Sequence, residues 1–250
     1  MGVIPARLAS SRLPRKPLIP IAGRPLIEWV WRRMTAIDLL DRLIVAADDP
    51  EIVSTVEGFG GRAVLTRTDH ASGTDRVAEV AELAEFRDFG WIVNLQGDEP
   101  FLPAGAAEAA IELVKTGWDV GTVAAPISSS EEWEDPSAVK VVLDDEGGAL
   151  YFSRAPIPHD RTGSAPLGSA ERAVPLRHVG IYGFTRAALR RATTLPPHPL
   201  EKREGLEQLR WLSAGLRIGV GIVGGIDPGV DTEADLARAE EILGGREETT

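Results

Sequence analysis

The chain has 250 residues, enough for one large α/β domain or for a domain with a smaller subdomain. Its formal net charge of −11 disfavours non-specific binding to nucleic acid or to an anionic membrane surface. The lack of cysteine excludes disulfides, thiolate nucleophiles and cysteine zinc sites, and no apolar run reaches the ~20 residues of a membrane span. We therefore expect a soluble, cytoplasmic protein that neither binds nucleic acid nor inserts into membranes.

Apolar strands and amphipathic helices alternate through the first half of the chain. The pattern predicts strands over 2–5, 43–46, 63–65 and 91–95. It predicts helices that begin near Pro25, at Asp49-Pro50, at Asp75 and at Ala104. This rhythm indicates a mostly parallel sheet flanked by helices, in which ligands bind beyond the carboxyl ends of the strands.

The second half lacks this regular alternation. No helix is predicted between the strands over 120–126, 139–143 and 179–182, and the Pro-, Gly- and Ser-rich stretch 153–175 predicts a loop. Helices are predicted over 199–214 and 232–244, with a strand over 218–223. We expect a single domain over 1–250, in which 1–125 and 199–246 form an α/β core and 126–198 a smaller mixed, antiparallel extension.

The segment Pro5–Leu18 places a cluster of cations directly after the first strand. Its cations include Arg7, Arg15 and Lys16, and two serines accompany them. Arginine offers planar bidentate forks to phosphate, and lysine offers a compact point charge. Neither a P-loop nor a G-x-G-x-x-G motif is present, so cationic side chains would have to bind a phosphate chain. A small anionic ligand is predicted here; a solvated basic loop is the alternative.

Two acidic segments are candidates for a metal site. Asp98 lies in Gln96–Pro100 at the end of a strand, where a carboxylate can hold Mg²⁺ against phosphates. Asp231 precedes Thr232 and Asp235, which have the spacing of a helix capping box. Either carboxylate can also be structural, Asp98 within a turn and Asp231 beside the cap.

One predicted helix places several polar side chains together. Over 199–214, the leucines of 206–212 form an apolar stripe, and Glu204, Glu207 and Gln208 lie on a different side. These three groups are therefore available to bind the hydroxyls of a ligand. A purely solvent-facing side is the alternative.

Seven segments follow one another in an order and spacing typical of one family. They are Pro5–Leu18, His70–Arg76, Gln96–Pro100, Leu150–Pro158, Leu176–Tyr182, Leu206–Arg210 and Gly229–Thr232. Over about residues 2–243 the chain resembles the 3-deoxy-manno-octulosonate (Kdo) cytidylyltransferases. The resemblance implies a nucleotide-diphospho-sugar-transferase-like α/β fold, a homodimer, and the reaction of CTP with Kdo to CMP-Kdo and pyrophosphate. This reaction depends on Mg²⁺ and is a step toward lipopolysaccharide.

The resemblance also implies roles for individual residues. The nucleotide would be bound by Pro5, Ala6, Arg7, Ser10, Lys16, Ser72, Gly73, Arg76 and Gln96. The acidic sugar would be bound by Gln96, Arg154, His178, Tyr182, Glu207 and Gln208, and the 126–198 extension would supply acceptor and dimer contacts. Asp98 and Asp231 would be the Mg²⁺ ligands and, with Arg7 and Lys16, the catalytic set.

Two positions and one loop depart from the family pattern. Arg15 stands where the family commonly has glycine, His159 stands where an aromatic residue is common, and the loop Thr162–Ser169 is unlike the family's. These differences leave open an acceptor other than Kdo, such as a phosphonate or another ulosonic acid. A glycosyltransferase of related fold would need an Asp-x-Asp motif, which Asp98-Glu99-Pro100 does not supply. A non-catalytic nucleotide-binding regulator would be expected to lack one of the two metal carboxylates.

Overall fold

The computed structural model describes residues 1–9, 13–161, 174–225 and 229–247. The predicted nucleotide ligand Ser10 and the loop Thr162–Ser169 lie outside these residues. The strands are β1 (Gly2–Ala6), β2 (Pro20–Ile21), β3 (Arg24–Pro25), β4 (Leu43–Ala47), β5 (Ala63–Leu65), β6 (Trp91–Asn94), β7 (Val120–Pro126), β8 (Lys140–Leu143), β9 (Ala149–Ser153), β10 (Leu176–Thr185) and β11 (Ile218–Ile222). The helices are α1 (Leu26–Met34), α2 (Pro50–Gly58), α3 (Gly73–Glu82), α4 (Ala104–Lys115), α5 (Ser130–Glu134), α6 (Arg186–Thr194), α7 (Pro199–Glu204), α8 (Gln208–Ser213) and α9 (Glu233–Glu247).

The first of two compact units contains the described residues of 1–107 and 226–250. Its sheet is parallel, in the order β6-β1-β4-β5, with β1 paired to β4 on one side and to β6 on the other. Val3, Ile4 and Ile44 on these strands are fully buried, as expected for a sheet covered on both faces. β1 and β6 run in parallel. The basic loop, which follows β1 within the segment Pro5–Leu18, and the acidic loop Gln96–Pro100, which follows β6, therefore leave the same edge of the sheet, as the sequence predicted.

The helix starts of this unit agree with the capping signals in the sequence. Asp49 caps α2, and its carboxylate accepts a hydrogen bond from Glu51 N at 2.8 Å. Ser72 caps α3 through a reciprocal capping box with Asp75, so α3 begins two residues before its predicted start at Asp75. Each cap satisfies backbone N–H groups that have no partner within the helix.

The second compact unit comprises the described residues of 108–225 and has a mixed sheet. β7 pairs in parallel with β11 and antiparallel with β10, and β8 pairs antiparallel with both β10 and β9. Aromatic side chains fill its core, since Phe152, Phe184 and Trp211 are fully buried. The antiparallel pairing predicted for 126–198 is confirmed, since β8, β9 and β10 lie in that range and pair antiparallel.

Two element predictions for the second unit are wrong. The helix predicted over 199–214 is two helices, α7 and α8, because Gly205 adopts a left-handed conformation (φ 66°) that caps the C-terminus of α7. The short helix α5, capped by Ser129, lies between β7 and β8, where no helix was expected. Strand β9 and helix α6 are further elements that the pattern did not identify.

Among the described residues, no helix is both long enough and apolar enough to cross a membrane.

Candidate active site

A cavity of about 300 Å³ lies within the first unit, lined by residues that follow β1 and β6. Its lining contains every predicted nucleotide or metal residue that the structure describes: Pro5, Ala6, Arg7, Lys16, Ser72, Gly73, Arg76, Gln96, Asp98 and Asp231. It also contains four residues that were not predicted: Pro17, His70, Ala71 and Gly97. Segments far apart in sequence thus meet in one concave site of the size that small ligands occupy.

Two glycines allow the backbone segments around the cavity to approach closely. A Cβ atom at Gly97 would lie 2.8 Å from Pro5 O, at the end of β1. A Cβ atom at Gly229 would lie 2.8 Å from Asp98 O, and Val230 N donates a hydrogen bond to that same oxygen at 2.9 Å. Only glycine fits at these approaches without displacement of backbone. The close approach at Gly229 brings the segment that contains Asp231 beside Asp98.

Lys16 joins the two predicted metal ligands. Its Nζ atom donates to Asp98 Oδ2 at 2.7 Å and to Asp231 Oδ1 at 2.8 Å. The lysine side chain is 12% exposed, and the two carboxylates are 38% and 46% exposed. One oxygen of each partly exposed carboxylate thus converges on a single cationic position. Two carboxylates that share one cation in this way are a donor set that suits a divalent metal ion with oxygen ligands.

The cap of α9, which was the alternative role for Asp231, is formed by the side chains of Thr232 and Asp235 instead. Thr232 and Asp235 form the reciprocal cap, in which Thr232 N donates to Asp235 Oδ2 and Asp235 N donates to Thr232 Oγ1. The Asp231 backbone N also donates to Asp235 Oδ2, at 3.1 Å. The cap therefore orients the Asp231 backbone while its carboxylate accepts from Lys16.

The other two cations of the basic loop differ in their environments. Arg7 is exposed and, within the described residues, makes no hydrogen bond or ion pair. Its guanidinium is therefore available to an anion in the cavity. Arg15 forms an ion pair with Glu51 and adopts a left-handed conformation (φ 59°, ψ 28°). That conformation favours glycine, which explains in physical terms why glycine suits this position.

Arg76 lies under the basic loop, with only 4% of its surface exposed. Its Nη1 donates to Thr66 Oγ1 at 2.6 Å, and its Nη2 faces Asp48 Oδ2 at 3.4 Å. The other oxygen of Asp48 accepts from Leu8 N at 2.9 Å. Burial lowers the pKa of the Arg76 guanidinium, and the charge of Asp48 opposes that shift. Arg76 and Asp48 together hold the backbone of the basic loop.

Asp48 supports the basic loop behind the cavity and was not predicted from the sequence. It directly follows β4 at the same sheet edge as the two predicted loops. An acidic residue at the carboxyl end of a parallel strand was the available signal, but the neighbouring Asp49-Pro50 helix start accounted for the local acidity. The role of Asp48 depends on Leu8, 40 residues away.

The His70–Arg76 segment is organised by its own side chains. His70 forms a hydrogen bond with Glu79, and Ser72 is occupied as the cap of α3. Gly73 lies against Pro5, since a Cβ atom there would be 3.3 Å from Pro5 Cγ. This segment consequently forms one wall of the cavity beside the end of β1.

Arg154 and Glu204, in the second unit, are anchored to each other. Arg154 donates from its backbone N to Glu204 Oε2 (2.9 Å), from Nε to Glu204 O (2.8 Å) and from Nη1 to Pro136 O (2.8 Å). Ser153 Oγ donates to Glu204 Oε1 at 2.8 Å. Glu204 therefore fixes the end of β9, whereas the helical pattern had placed it among groups available to a ligand. Within the described residues, Nη2 of Arg154 has no hydrogen-bond partner.

His178 and Tyr182 lie in the aromatic core of the second unit. His178 packs edge-on against Phe152 with ring centroids 5.0 Å apart, and its Nε2 lies 2.9 Å from Thr122 Oγ1. Because the Thr122 hydroxyl donates to Ile181 O at 2.7 Å, its oxygen is left to accept from His178 Nε2. Burial lowers the pKa of His178 to about 3, and Arg177 adds to the shift. Burial raises the pKa of the Tyr182 hydroxyl, as does the charge of Glu207.

Glu207 and Gln208 stand at the start of α8. Glu207 accepts from Arg210 Nη2 at 2.6 Å, and Gln208 is 4% exposed. Tyr182 packs edge-on against Trp211 of the same helix, with centroids 5.1 Å apart. The residues predicted to bind the acidic sugar from Arg154 onward are thus all found in the second unit, around β9, β10 and α8.

Known proteins of similar sequence match this chain over nearly all of its length and of their own. The cytidylyltransferase family model matches residues 1–218. The 3-deoxy-manno-octulosonate cytidylyltransferase of Methylococcus capsulatus is 49% identical over 249 residues, which cover 98% of this chain and 96% of that protein. That of Gemmatimonas aurantiaca is 46% identical over 242 residues, covering 96% and 92%.

Solved structures agree in fold. A CMP:2-keto-3-deoxy-manno-octonic acid synthetase complexed with CTP matches with a TM-score of 0.89 and 40% identity over 98% of both chains. A putative glucose-1-phosphate thymidylyltransferase from Bacillus anthracis, 17% identical over 97% of this chain and 94% of that one, shares the fold alone at a TM-score of 0.63. The chain is therefore a nucleotidyltransferase that belongs to the cytidylyltransferase family, among its 3-deoxy-manno-octulosonate cytidylyltransferases.

Proposed function

We propose that this protein transfers CMP from CTP to Kdo with release of pyrophosphate, and that its metal ion is Mg²⁺. The observation that best supports this is the meeting of Lys16, Asp98 and Asp231 beside Arg7 in one cavity. The nucleotide and the acceptor are those named in the relatives and in the CTP complex described above. A different small acid as acceptor is not favoured, because these relatives are all named for the same sugar acid.

Asp98 and Asp231 would hold the metal ion. Mg²⁺ is usually bound through one or two carboxylates and completes its shell with phosphate oxygens and water, which suits two partly exposed carboxylates. When bound there, Mg²⁺ supplies charge that polarises the α-phosphate and lowers the pKa of a hydroxyl beside it.

The other residues of the cavity would position the substrates and neutralise the charge of the phosphates. Phosphoryl transfer requires little covalent chemistry from the protein, so catalysis depends on holding attacking and leaving oxygens in line. Arg7 is available to the triphosphate, and Lys16 would neutralise charge on the departing pyrophosphate. Arg76 lines the cavity, and together with Asp48 it also holds the backbone at Leu8.

The acceptor would bind to the second unit. The carboxylate of a sugar acid needs a cation, and Arg154 offers its Nη2 group, which makes no hydrogen bond to any residue that the structure describes, while Nε is bonded to Glu204 O and Nη1 to Pro136 O. Glu207 and Gln208 remain the predicted partners of the sugar hydroxyls, with His178 and Tyr182 fixing the wall behind them. We further propose that residues 1–250 act as one catalytic domain in a cytoplasmic homodimer.

Pyrophosphate release measures the proposed reaction directly. The purified chain is incubated with Mg²⁺, Kdo and one nucleotide at a time, and pyrophosphate is followed by a coupled assay. We expect release with CTP and far less with ATP, GTP or UTP. Equal rates with all four nucleotides, or release with a phosphonate acid but not with Kdo, would contradict the proposal.

Two variants separate acceptor binding from structural anchoring at Arg154. Arg154→Ala removes the side-chain bonds to Glu204 O and Pro136 O together with Nη2, whereas Glu204→Gln weakens the bonds from Arg154 N and Ser153 Oγ and keeps the cation. Loss of a charge-assisted hydrogen bond from Nη2 to the carboxylate of Kdo is expected to lower kcat/KM for Kdo by about tenfold and to leave the KM for CTP unchanged. The same loss in both variants would show that Arg154 acts only as a structural residue.

A further inference from the structure

The ammonium group of Lys16 occupies the position on which the two metal-binding carboxylates converge. It lies 2.7 Å from Asp98 Oδ2 and 2.8 Å from Asp231 Oδ1. Both carboxylates reach it from backbone segments that are pinned to each other by the Val230 N to Asp98 O hydrogen bond. The two segments therefore stay together, and a cation between the two acidic groups offsets their mutual repulsion.

Lys16 is well suited to leave this position. Lysine is a point charge on a flexible four-carbon stem, so its Nζ atom can move while the backbone stays in place. The backbone of Lys16 is held independently, because its N donates to Leu13 O at 3.1 Å and its O accepts from Ile19 N at 3.2 Å. The cavity that contains Lys16 also contains Arg7, which is available to phosphate. A triphosphate there would offer the lysine a second set of anionic partners.

We propose that Lys16 is an exchangeable counter-ion: it bridges Asp98 and Asp231 in the metal-free protein and transfers to the nucleotide's phosphates when a divalent cation takes its place. This inference rests on the proposed function, which assigns the two carboxylates to the metal. A divalent cation alone must displace the ammonium without giving it a new partner, and therefore binds weakly. A nucleotide accepts the displaced lysine, so metal and nucleotide strengthen each other's binding by the same factor.

Titration with Mn²⁺ in the absence of nucleotide tests the exchange without reference to activity. Free Mn²⁺ is measured by its electron paramagnetic resonance signal for the wild type and for Lys16→Met, which keeps the length of the side chain and removes its charge. We expect Lys16→Met to bind Mn²⁺ alone about tenfold more tightly, and addition of CTP to improve its Mn²⁺ affinity less than it improves that of the wild type.

Arg15→Met is the matched control. It removes a neighbouring positive charge from the same loop, but Arg15 pairs with Glu51 rather than with the two carboxylates. An equal gain in Mn²⁺ affinity in Arg15→Met would overturn the exchange, because general electrostatics would then account for it. Unchanged or weaker Mn²⁺ binding by Lys16→Met would also overturn it.

Thermal unfolding provides a second measurement. In EDTA, Lys16→Met leaves two carboxylates facing each other without the lysine, so its Tm should lie below that of the wild type. Addition of Mn²⁺ should raise the Tm of Lys16→Met by more than it raises the Tm of the wild type, and an equal or smaller increase overturns the proposal. Failure of the proposed function would appear separately, as absent pyrophosphate release by the wild type.

Discussion

Replacement of Gly229 by alanine should damage both the stability of the protein and its metal site. The added Cβ would lie 2.8 Å from Asp98 O, whereas ordinary contact begins at 3.4 Å, so the segment must move by about 0.6 Å. That movement would lengthen the Val230 N to Asp98 O hydrogen bond from 2.9 Å to about 3.5 Å, beyond a normal hydrogen bond. The lost bond and the strain together cost about 2 kcal/mol.

For a chain of this length, that cost corresponds to a Tm about 4–8 °C lower. Because Asp231 moves with the segment, kcat/KM should fall about tenfold or more, since small misplacements of catalytic groups are costly. Differential scanning fluorimetry and pyrophosphate release measure the two effects. Gly224→Ala is the control, because a Cβ there meets nothing within 4 Å. A Gly229→Ala variant with the Tm and activity of the wild type would refute the close-approach explanation.

Three other outcomes are expected. Asp98→Asn and Asp231→Asn should each retain less than about a tenth of the wild-type kcat, which is a loss of transition-state stabilisation above ~1.4 kcal/mol. Their Tm should change little because both carboxylates are partly exposed. A variant with higher residual activity would show that its residue is not a metal ligand. Arg15→Gly should raise the free energy of unfolding by up to about 1 kcal/mol in urea titrations, because relief of the left-handed conformation outweighs the loss of an exposed ion pair; a destabilised variant would contradict this. The pKa of His178 is about 3 in the folded protein, against 6.5 in the unfolded chain. Its contribution to the free energy of unfolding is therefore complete above pH 6.5 and is lost as the pH falls toward 3, by about 1.4 kcal/mol per pH unit. His178→Gln should reduce this loss when urea unfolding is compared at pH 6.5 and pH 5, and an unchanged pH dependence would exclude His178 as its source.

Signals that act over a few residues were sufficient to predict much of the first unit. The Asp49-Pro50 start of α2 and the start of α3, predicted at Asp75 and found at Gly73, depend on groups within one helical turn, so the residue order along the chain indicates them. The parallel sheet followed from the alternation of strands and helices, and parallel strands place their carboxyl ends at one edge. From that rule alone, the basic and acidic loops could be predicted to meet.

Side-chain partners in the site could not be predicted in the same way, because they join residues far apart in the chain. Lys16 was assigned to phosphate, and its bridge to Asp98 and Asp231 spans 82 and 215 residues. Glu204 was grouped with ligand-facing residues on helical spacing, but its carboxylate is occupied by Ser153 and by Arg154.

The sequence by itself indicated the family and the parallel sheet, since motifs and periodicity are properties of local order along the chain, and through the family resemblance it pointed to many of the residues that line the cavity. Tertiary structure alone decided which of those groups are buried and which are paired. The guanidinium of Arg76 is the clearest case: the family resemblance implied a nucleoside contact, and only the tertiary structure shows that the group is buried and paired with Thr66 and Asp48 at the cavity. Desolvation depends on what packs around a group, and that packing is supplied by segments that no local pattern connects.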